Sequence, residues 1–277
     1  MSSTISPSEA LSRIPGWEGH TADWSELKGG LTNRSYCIEW GDETFVLRLN
    51  APHTDAFNLD RVSEIRILKQ AAAAGLAPEL IFADTASGIL LSRYVAGTAW
   101  GISDLDDDDK LEELAELLRR VHALPVSGVL FDATRVAKRY AENLGQHHGL
   151  HAFAVRCEEI IARIPMSDTI CCCHNDIVAG NIIADSSLKL LDWEYACDNN
   201  PMFDLASLIG YHNLDDDRQS VLLNAYVGGS DPGMKESLDI QIRLYDAIQW
   251  LWLANRHMIT RTSAQAARLE ELQQRIR

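Results

Sequence analysis

The residues with the clearest chemical potential are His174-Asn175-Asp176, Asn181 and Asp192-Trp193-Glu194-Tyr195. An apolar run from Ile170 to Cys173 leads into the polar loop 174–181. Ile182 to Ala184 and Leu188 to Leu191 then flank the Asp185-Ser186-Ser187 turn. This order predicts strand, loop, hairpin and then a carboxylate. Asp176, Asn181 and Asp192 are thereby placed at the ends of strands that pair with each other, so that their oxygens converge. Converging hard oxygens suit Mg²⁺ and, with it, phosphoryl transfer.

The elements that must position these groups are legible upstream. Lys28 to Tyr36 sets Gly29, Gly30, Leu31, Thr32 and Asn33 between apolar Leu27 and an alternating run, Tyr36, Ile38, Trp40. Such a turn can bring backbone N–H groups to phosphate, or simply close a hairpin. After Gly41-Asp42-Glu43 a second alternating strand puts Phe45, Leu47 and Leu49 on one face and Val46 and Arg48 on the other. Leu59, Val62, Ile65, Leu68 and Ala72 recur at helical spacing up to Gly75. That helix carries Glu64. Pro78 to Val95 reads as two more strands around Thr85-Ala86-Ser87-Gly88, completing an antiparallel sheet of about five strands.

The ordered set over 173–204 resembles the protein-kinase-like small-molecule kinases, whose His-x-Asp-x-x-x-x-Asn loop is followed by a later Asp. Asn175, the Asp-Trp-Glu-Tyr at 192–195 and Phe203-Asp204-Leu205-Ala206 look like choline/ethanolamine kinases and their bacterial thiamine-kinase relatives in the aminoglycoside phosphotransferase superfamily. The resemblance covers roughly residues 25–260. It implies an α+β, bilobal protein-kinase-like fold: a small antiparallel N-lobe that binds nucleotide (1–94) and a larger, mainly helical catalytic and substrate-binding C-lobe (95–277).

It further implies ATP as co-substrate, with Asn181 and Asp192 as Mg²⁺ ligands and Asp176 as the base that holds the acceptor hydroxyl. Gly29, Gly30, Leu31, Thr32 and Asn33 correspond to the phosphate loop. Arg48 corresponds to the phosphate-holding cation, paired with Glu64. His174 and Asp204 are implied to support the catalytic loop, although Asp204 at a helix start also suits an ordinary N-cap. Tyr195 borders the acceptor site in the family, and tryptophans on a C-terminal helix wall its ammonium pocket, so Trp250, or failing it Trp252, is the candidate here. Tyr211 stands where relatives tend to carry an acid. The implied activity is γ-phosphate transfer to choline or a similar small cationic alcohol. Thiamine, an aminoglycoside, or a nucleotide-binding protein without turnover are the alternatives.

Composition narrows the partners. The 277 residues are 46% hydrophobic with a net charge of −15. That acidity argues against nucleic acid and anionic membrane, which need a positive surface. No apolar run approaches the ~20 residues of a membrane span, and the N-terminus lacks a signal-peptide pattern, so a cytoplasmic monomer or homodimer is expected. Consecutive Cys171-Cys172-Cys173 alternate across a strand, so neighbours point to opposite faces and read as small buried residues rather than joint metal ligands. Asp104 to Asp109 precede the apolar face Leu111, Leu114, Leu117, Leu118, Val121 as the acidic start of a helix, with His122 near its end as a cation or core group. Residues 132–166 read as helical around a His147-His148-Gly149 loop, and Leu238 to Arg277 as helical throughout.

Overall fold

The computed structural model describes residues 5–17, 22–27, 33–50, 59–145 and 147–276. Its first layer is a five-stranded antiparallel sheet built from β1 (Asp23–Leu27), β2 (Asn33–Trp40), β3 (Glu43–Asn50), β4 (Leu80–Asp84) and β5 (Ile89–Arg93), in the order β1-β2-β3-β5-β4. Gly41, at φ +61°, allows the tight turn that sets Trp40 opposite Glu43. Strand alternation then divides β3. Phe45, Leu47 and Leu49 are buried with Tyr36, Ile38, Ile89 and Leu91. The chain's lead-in covers that face: α1 (Pro7–Leu11), N-capped by Ser6, contributes Ala10 and Leu11, followed by Ile14 and Trp17. Arg48, opposite Ser35 and Leu90, takes the other face.

Helix α2 (Arg61–Ala73) packs on that second face, N-capped by the Asp60 carboxylate. Its buried residues are Ser63, Glu64, Ile67, Leu68 and Ala71, whereas Val62 is 69% exposed. The apolar spacing predicted a face through Val62 and Ile65. The helix is instead rotated so that Glu64 meets Arg48, because a buried guanidinium demands a partner more strongly than one valine demands cover.

The helical part holds α3 (Asp108–His122), α4 (Ala133–Asn143), α5 (His148–Ala162), α6 (Met202–His212), α7 (Asp216–Val227), α8 (Pro232–Thr260) and α9 (Ser263–Ile276). The predicted face of α3 is fully buried, and Asp107 caps it. Two of the expected boundaries shift. His148 and Gly149 open α5, leaving His147 as its cap residue, and the helical C-terminal stretch starts earlier, at Pro232, and is divided into two helices where Arg261 turns left-handed at φ 49°. Arg275 of α9 then reaches back to Asp246 of α8 and to the Gly210 carbonyl. Between α5 and α6 run four short strands: β7 (Cys171–Cys173), β8 (Ile182–Ala184), β9 (Leu188–Leu190) and β10 (Cys197–Asn199). β7 pairs with β10, and β8 lies between β9 and β6 (Thr98–Ala99), which follows directly on the sheet.

Candidate active site

β7 delivers the chain into a loop held almost entirely by backbone capture. The Asp204 carboxylate, on the first turn of α6 and fully buried, accepts from the backbone N–H of His174 (2.9 Å) and of Asn175 (2.6 Å). The His122 ring Nε2 lies 3.0 Å from the same carboxylate. Burial opposes the charge on Asp204, but its hydrogen bonds with His122 and with the His174 N–H win, holding its carboxyl below the usual range. The helix cap residue is Pro201, so Asp204 serves the loop and not its own helix end. Further along, Ile177 N–H donates to Ser207 Oγ (3.0 Å) and Ala179 N–H to His212 Nε2 (3.0 Å). Burial lowers His212 to about 4, which keeps that nitrogen an acceptor at neutral pH.

Asn175 is left-handed at φ 65°, a conformation Asn tolerates better than most residues. Its amide donates to the carbonyls of Tyr195 (3.1 Å) and Cys197 (3.3 Å), and its oxygen accepts from Asn199 (2.8 Å). His174 ties the two halves of the site together. The Asp176 N–H donates to His174 Nδ1 (3.3 Å), which fixes the proton on Nε2, and Nε2–H donates to the Leu191 carbonyl (2.9 Å). Burial lowers the His174 pKa and keeps the ring neutral, as this arrangement requires. One imidazole therefore spans from the backbone of Asp176 to the residue before Asp192.

Asn181 Nδ2 donates to the Asp176 carbonyl (3.1 Å) and carboxylate (3.2 Å), and the Asn181 carbonyl accepts from Leu191 N–H (2.8 Å). Asp192, left-handed at φ 59°, ends the hairpin facing Arg48 Nη1 at 3.4 Å. Arg48 Nη2 lies 2.5 Å from Glu64, whose side chain is 1% exposed. Arg61 meets Glu64 (2.8 Å), Glu194 (3.0 Å) and the Asn33 side-chain Oδ1 (3.2 Å), while Asn33 Nδ2 donates to Glu194 (2.7 Å). Burial first and the charge of Glu194 second push Asp176 up to about 7; the same two causes raise Asp192, against the pull of Arg48. Carboxylates this crowded are relieved by a bound cation, and oxygen donors at Asp176, Asn181 and Asp192 fit a hard one.

These groups line a cleft of about 1680 Å³ between the sheet, α2 and the helical part. Its far end is aromatic. Trp252 Nε1 donates to the Tyr195 hydroxyl (2.8 Å), the Arg256 guanidinium lies 5.5 Å from the centre of the Trp252 ring, and Tyr211, 44% exposed, also lines the wall. Trp250 does not. It is 0% exposed and packs against Phe153 at 4.7 Å in the core. At 3.6 residues per turn, positions 250 and 252 point about 200° apart, so a helix can offer only one of them to the cleft.

The structure thus brings together Asp176, Asn181, Asp192, Arg48, Glu64, Asn33, His174, Asp204, Tyr195, Trp252 and Tyr211, and removes Trp250. Gly29, Gly30, Leu31 and Thr32 lie outside the described residues. Sequence reasoning gave no role to Arg61, Glu194, Ser207, His212 or Arg256, and it read His122 as a generic helix-end group. Glu194 was visible inside the Asp-Trp-Glu-Tyr run. The others carry no local signal, because their partners are distant in the chain. The cysteines also need correction: Cys172 points away, but Cys171 and Cys173 share a face with their sulfurs 3.6 Å apart.

The fold is that of the kinase-like phosphotransferases. A choline/ethanolamine kinase family protein from Mesorhizobium loti superposes with a TM-score of 0.72 at 22% identity, covering 96% of this chain and 92% of that one. Choline kinase LicA from Streptococcus pneumoniae gives 0.73 at 20% identity over 90% and 92%. Residues 23–239 match the phosphotransferase enzyme family (APH), and the chain belongs to it. Among curated relatives, Protein LicA of Haemophilus influenzae is 27% identical over 231 residues, 80% of this chain and 67% of that protein. An Escherichia coli thiamine kinase is 30% identical over 227 residues, 80% and 76% of the two chains.

Proposed function

We propose that this protein transfers the γ-phosphate of ATP to the hydroxyl of choline or a similar small amino alcohol. The observation that carries the reading is the pairing, across one cleft, of the Asp176–Asn181–Asp192 oxygens with the Tyr195–Trp252 aromatic wall. The family and the similarity to LicA and to thiamine kinase support it.

Residues 1–94 form the nucleotide-binding lobe and 95–277 the catalytic and acceptor-binding lobe. Arg48, fixed by Glu64, presents its guanidinium to the nucleotide phosphates, and Gly29 to Asn33 supply the phosphate loop. Asn181 and Asp192 hold Mg²⁺, which when bound supplies the positive charge that the phosphate oxygens need. Asp176 accepts the hydrogen bond of the acceptor hydroxyl, aims its oxygen at the γ-phosphorus, and takes the proton as the new P–O bond forms and the bond from the γ-phosphorus to the bridging oxygen breaks, ADP leaving with the electron pair. Its contribution is chiefly orientation. A quaternary ammonium has no N–H to donate, so Tyr195 and Trp252 hold it through their ring faces, at ~0.5–2 kcal/mol per good contact. Among the described residues no helix is long and apolar enough to cross a membrane, which is compatible with work on a soluble substrate in the cytoplasm.

A larger acceptor, thiamine or an aminoglycoside, is the second reading. It is favoured by Tyr211 at the wall and by Arg256 lying over Trp252. ADP release with Mg-ATP and choline, ethanolamine, thiamine or kanamycin, run beside Asp176→Asn, tests both. Choline-dependent release absent from the variant supports the first; thiamine- or kanamycin-dependent release selects the second. Acceptor-dependent thermal stabilisation without turnover would instead mark a binding protein that does no chemistry.

A further inference from the structure

Behind the catalytic loop, on the side away from the cleft, three ligand-type side chains meet that the phosphotransfer reading does not use together. The Cys171 and Cys173 sulfurs are 3.6 Å apart, and these sulfurs and a ring nitrogen of His122 all lie within 4.8 Å of one another. The three come from different routes: positions 171 and 173 share one face of β7 by strand alternation, and His122 ends α3, which packs on that strand. We propose that they form a binding site for a soft divalent cation of the Zn²⁺ type.

The spacing suits such an ion. With Zn–S near 2.3 Å, two thiolates of a tetrahedral site stand ~3.8 Å apart, close to the separation already present. The thiols are reduced and paired with no other cysteine, and both point at the Asn199 carbonyl (3.8 and 3.5 Å), an oxygen positioned to complete the set. The histidine is prepared in the manner of a metal ligand. Its Nε2–H donates to the Asp204 carboxylate, which fixes the tautomer and leaves Nδ1 as the ring's acceptor nitrogen. That nitrogen now accepts from the Tyr226 hydroxyl at 2.7 Å, and a metal would displace this contact. Carboxylate, imidazole and metal would then stand in line, as they do in many zinc sites.

Charge also balances. Each thiol gives its proton to solvent on binding, two protons per ion, and the two thiolates neutralise the dication, so no net charge is added beside buried Asp204. Burial first, and then the hydrogen bond with Cys171, hold the Cys173 thiol well above its ordinary pKa. Mg²⁺, which prefers oxygen, cannot supply the thiolate bonding that offsets this, so the site discriminates against the ion of the cleft. Occupancy strengthens the His122 hydrogen bond to Asp204, and Asp204 holds the N–H groups of His174 and Asn175. The site is thereby linked to the stability of the catalytic loop.

The test uses the full chain, reduced and stripped of metal, titrated with Co²⁺ and then with Zn²⁺ against a chromophoric chelator, with excess Mg²⁺ present. The expected result is one equivalent of Co²⁺ with a thiolate charge-transfer band that Zn²⁺ bleaches and Mg²⁺ does not. A rise in melting temperature should accompany it. Cys171→Ala, at a partly exposed position, keeps the fold and loses the band; Cys37→Ala and Cys157→Ala retain it. No thiolate band in the wild-type protein, or a band that survives Cys171→Ala, overturns the proposal.

Discussion

Asp204→Asn isolates the buried carboxylate that captures the 174–181 loop. In the native protein both oxygens accept: one from Asn175 N–H at 2.6 Å, the other from His174 N–H at 2.9 Å and from His122 Nε2 at 3.0 Å. Asparagine offers one acceptor oxygen and turns the other position into a donor, which faces a donor it cannot satisfy. Each charge-assisted bond contributes ~1.5–3 kcal/mol, and a stranded buried N–H costs ~1–3 kcal/mol. With the asparagine oxygen keeping the one or two bonds of the position it takes, the loss should be about 3–5 kcal/mol.

Urea unfolding followed by tryptophan fluorescence measures it, since Trp193 packs edge-on to His174 at 4.9 Å. The pH dependence sharpens the test. Because the folded-state pKa of Asp204 lies below its ordinary value, its stabilisation is complete above the unfolded carboxylate pKa of ~3.9 and is lost as pH falls through the folded value. The difference between wild type and variant should therefore be constant from about pH 7 down to about pH 5 and shrink below ~4. A difference under ~1 kcal/mol at neutral pH, or one that does not shrink in acid, refutes the anchoring argument.

Asp176 carries the opposite sign. Its pKa is raised to about 7, so between ~4 and that value the folded state binds more protons than the unfolded one, and the metal-free protein loses stability as pH rises through this window. Melting temperatures across the window should show that slope, and Asp176→Asn should reduce it, the remaining slope belonging to Asp192, whose carboxyl is raised by the same causes. Trp250→Ala should cost ~3–5 kcal/mol in denaturant without a specific effect on acceptor KM, as for a buried aromatic. Trp252→Phe, which loses the bond to Tyr195, should raise acceptor KM with little change in melting temperature; equal effects of the two would contradict the helix-face assignment. Arg256→Ala clears the Trp252 face and should lower the KM for a quaternary ammonium by about 2- to 30-fold, the range of one cation–π contact. An unchanged or higher KM would mean that the face is not where the cation sits.

The sequence by itself determined the hairpin that carries the candidate site. Asp176, Asn181 and Asp192 lie within one short stretch whose strand, loop and turn signals are local, and strand alternation alone put Arg48 on the face opposite Phe45, Leu47 and Leu49. The α3 face and the five-stranded sheet were readable for the same reason: hydrophobic period and turn residues act over a few positions.

Only the tertiary structure decided which way α2 turns, because Val62 and Ile65 fit the helical period as well as Ile67 does, and the choice fell to Arg48, a residue on another element. It also decided between Trp250 and Trp252, which composition cannot separate but one helix rotation can. The ties of Arg61 and Asn33 to Glu194, of His122 to Asp204 and of Ala179 to His212 join residues 133, 161, 82 and 33 positions apart. Such pairs leave no periodic trace in a single chain, since a buried charge or ring nitrogen is satisfied by whatever the packing brings beside it, and that is fixed only when the layers meet.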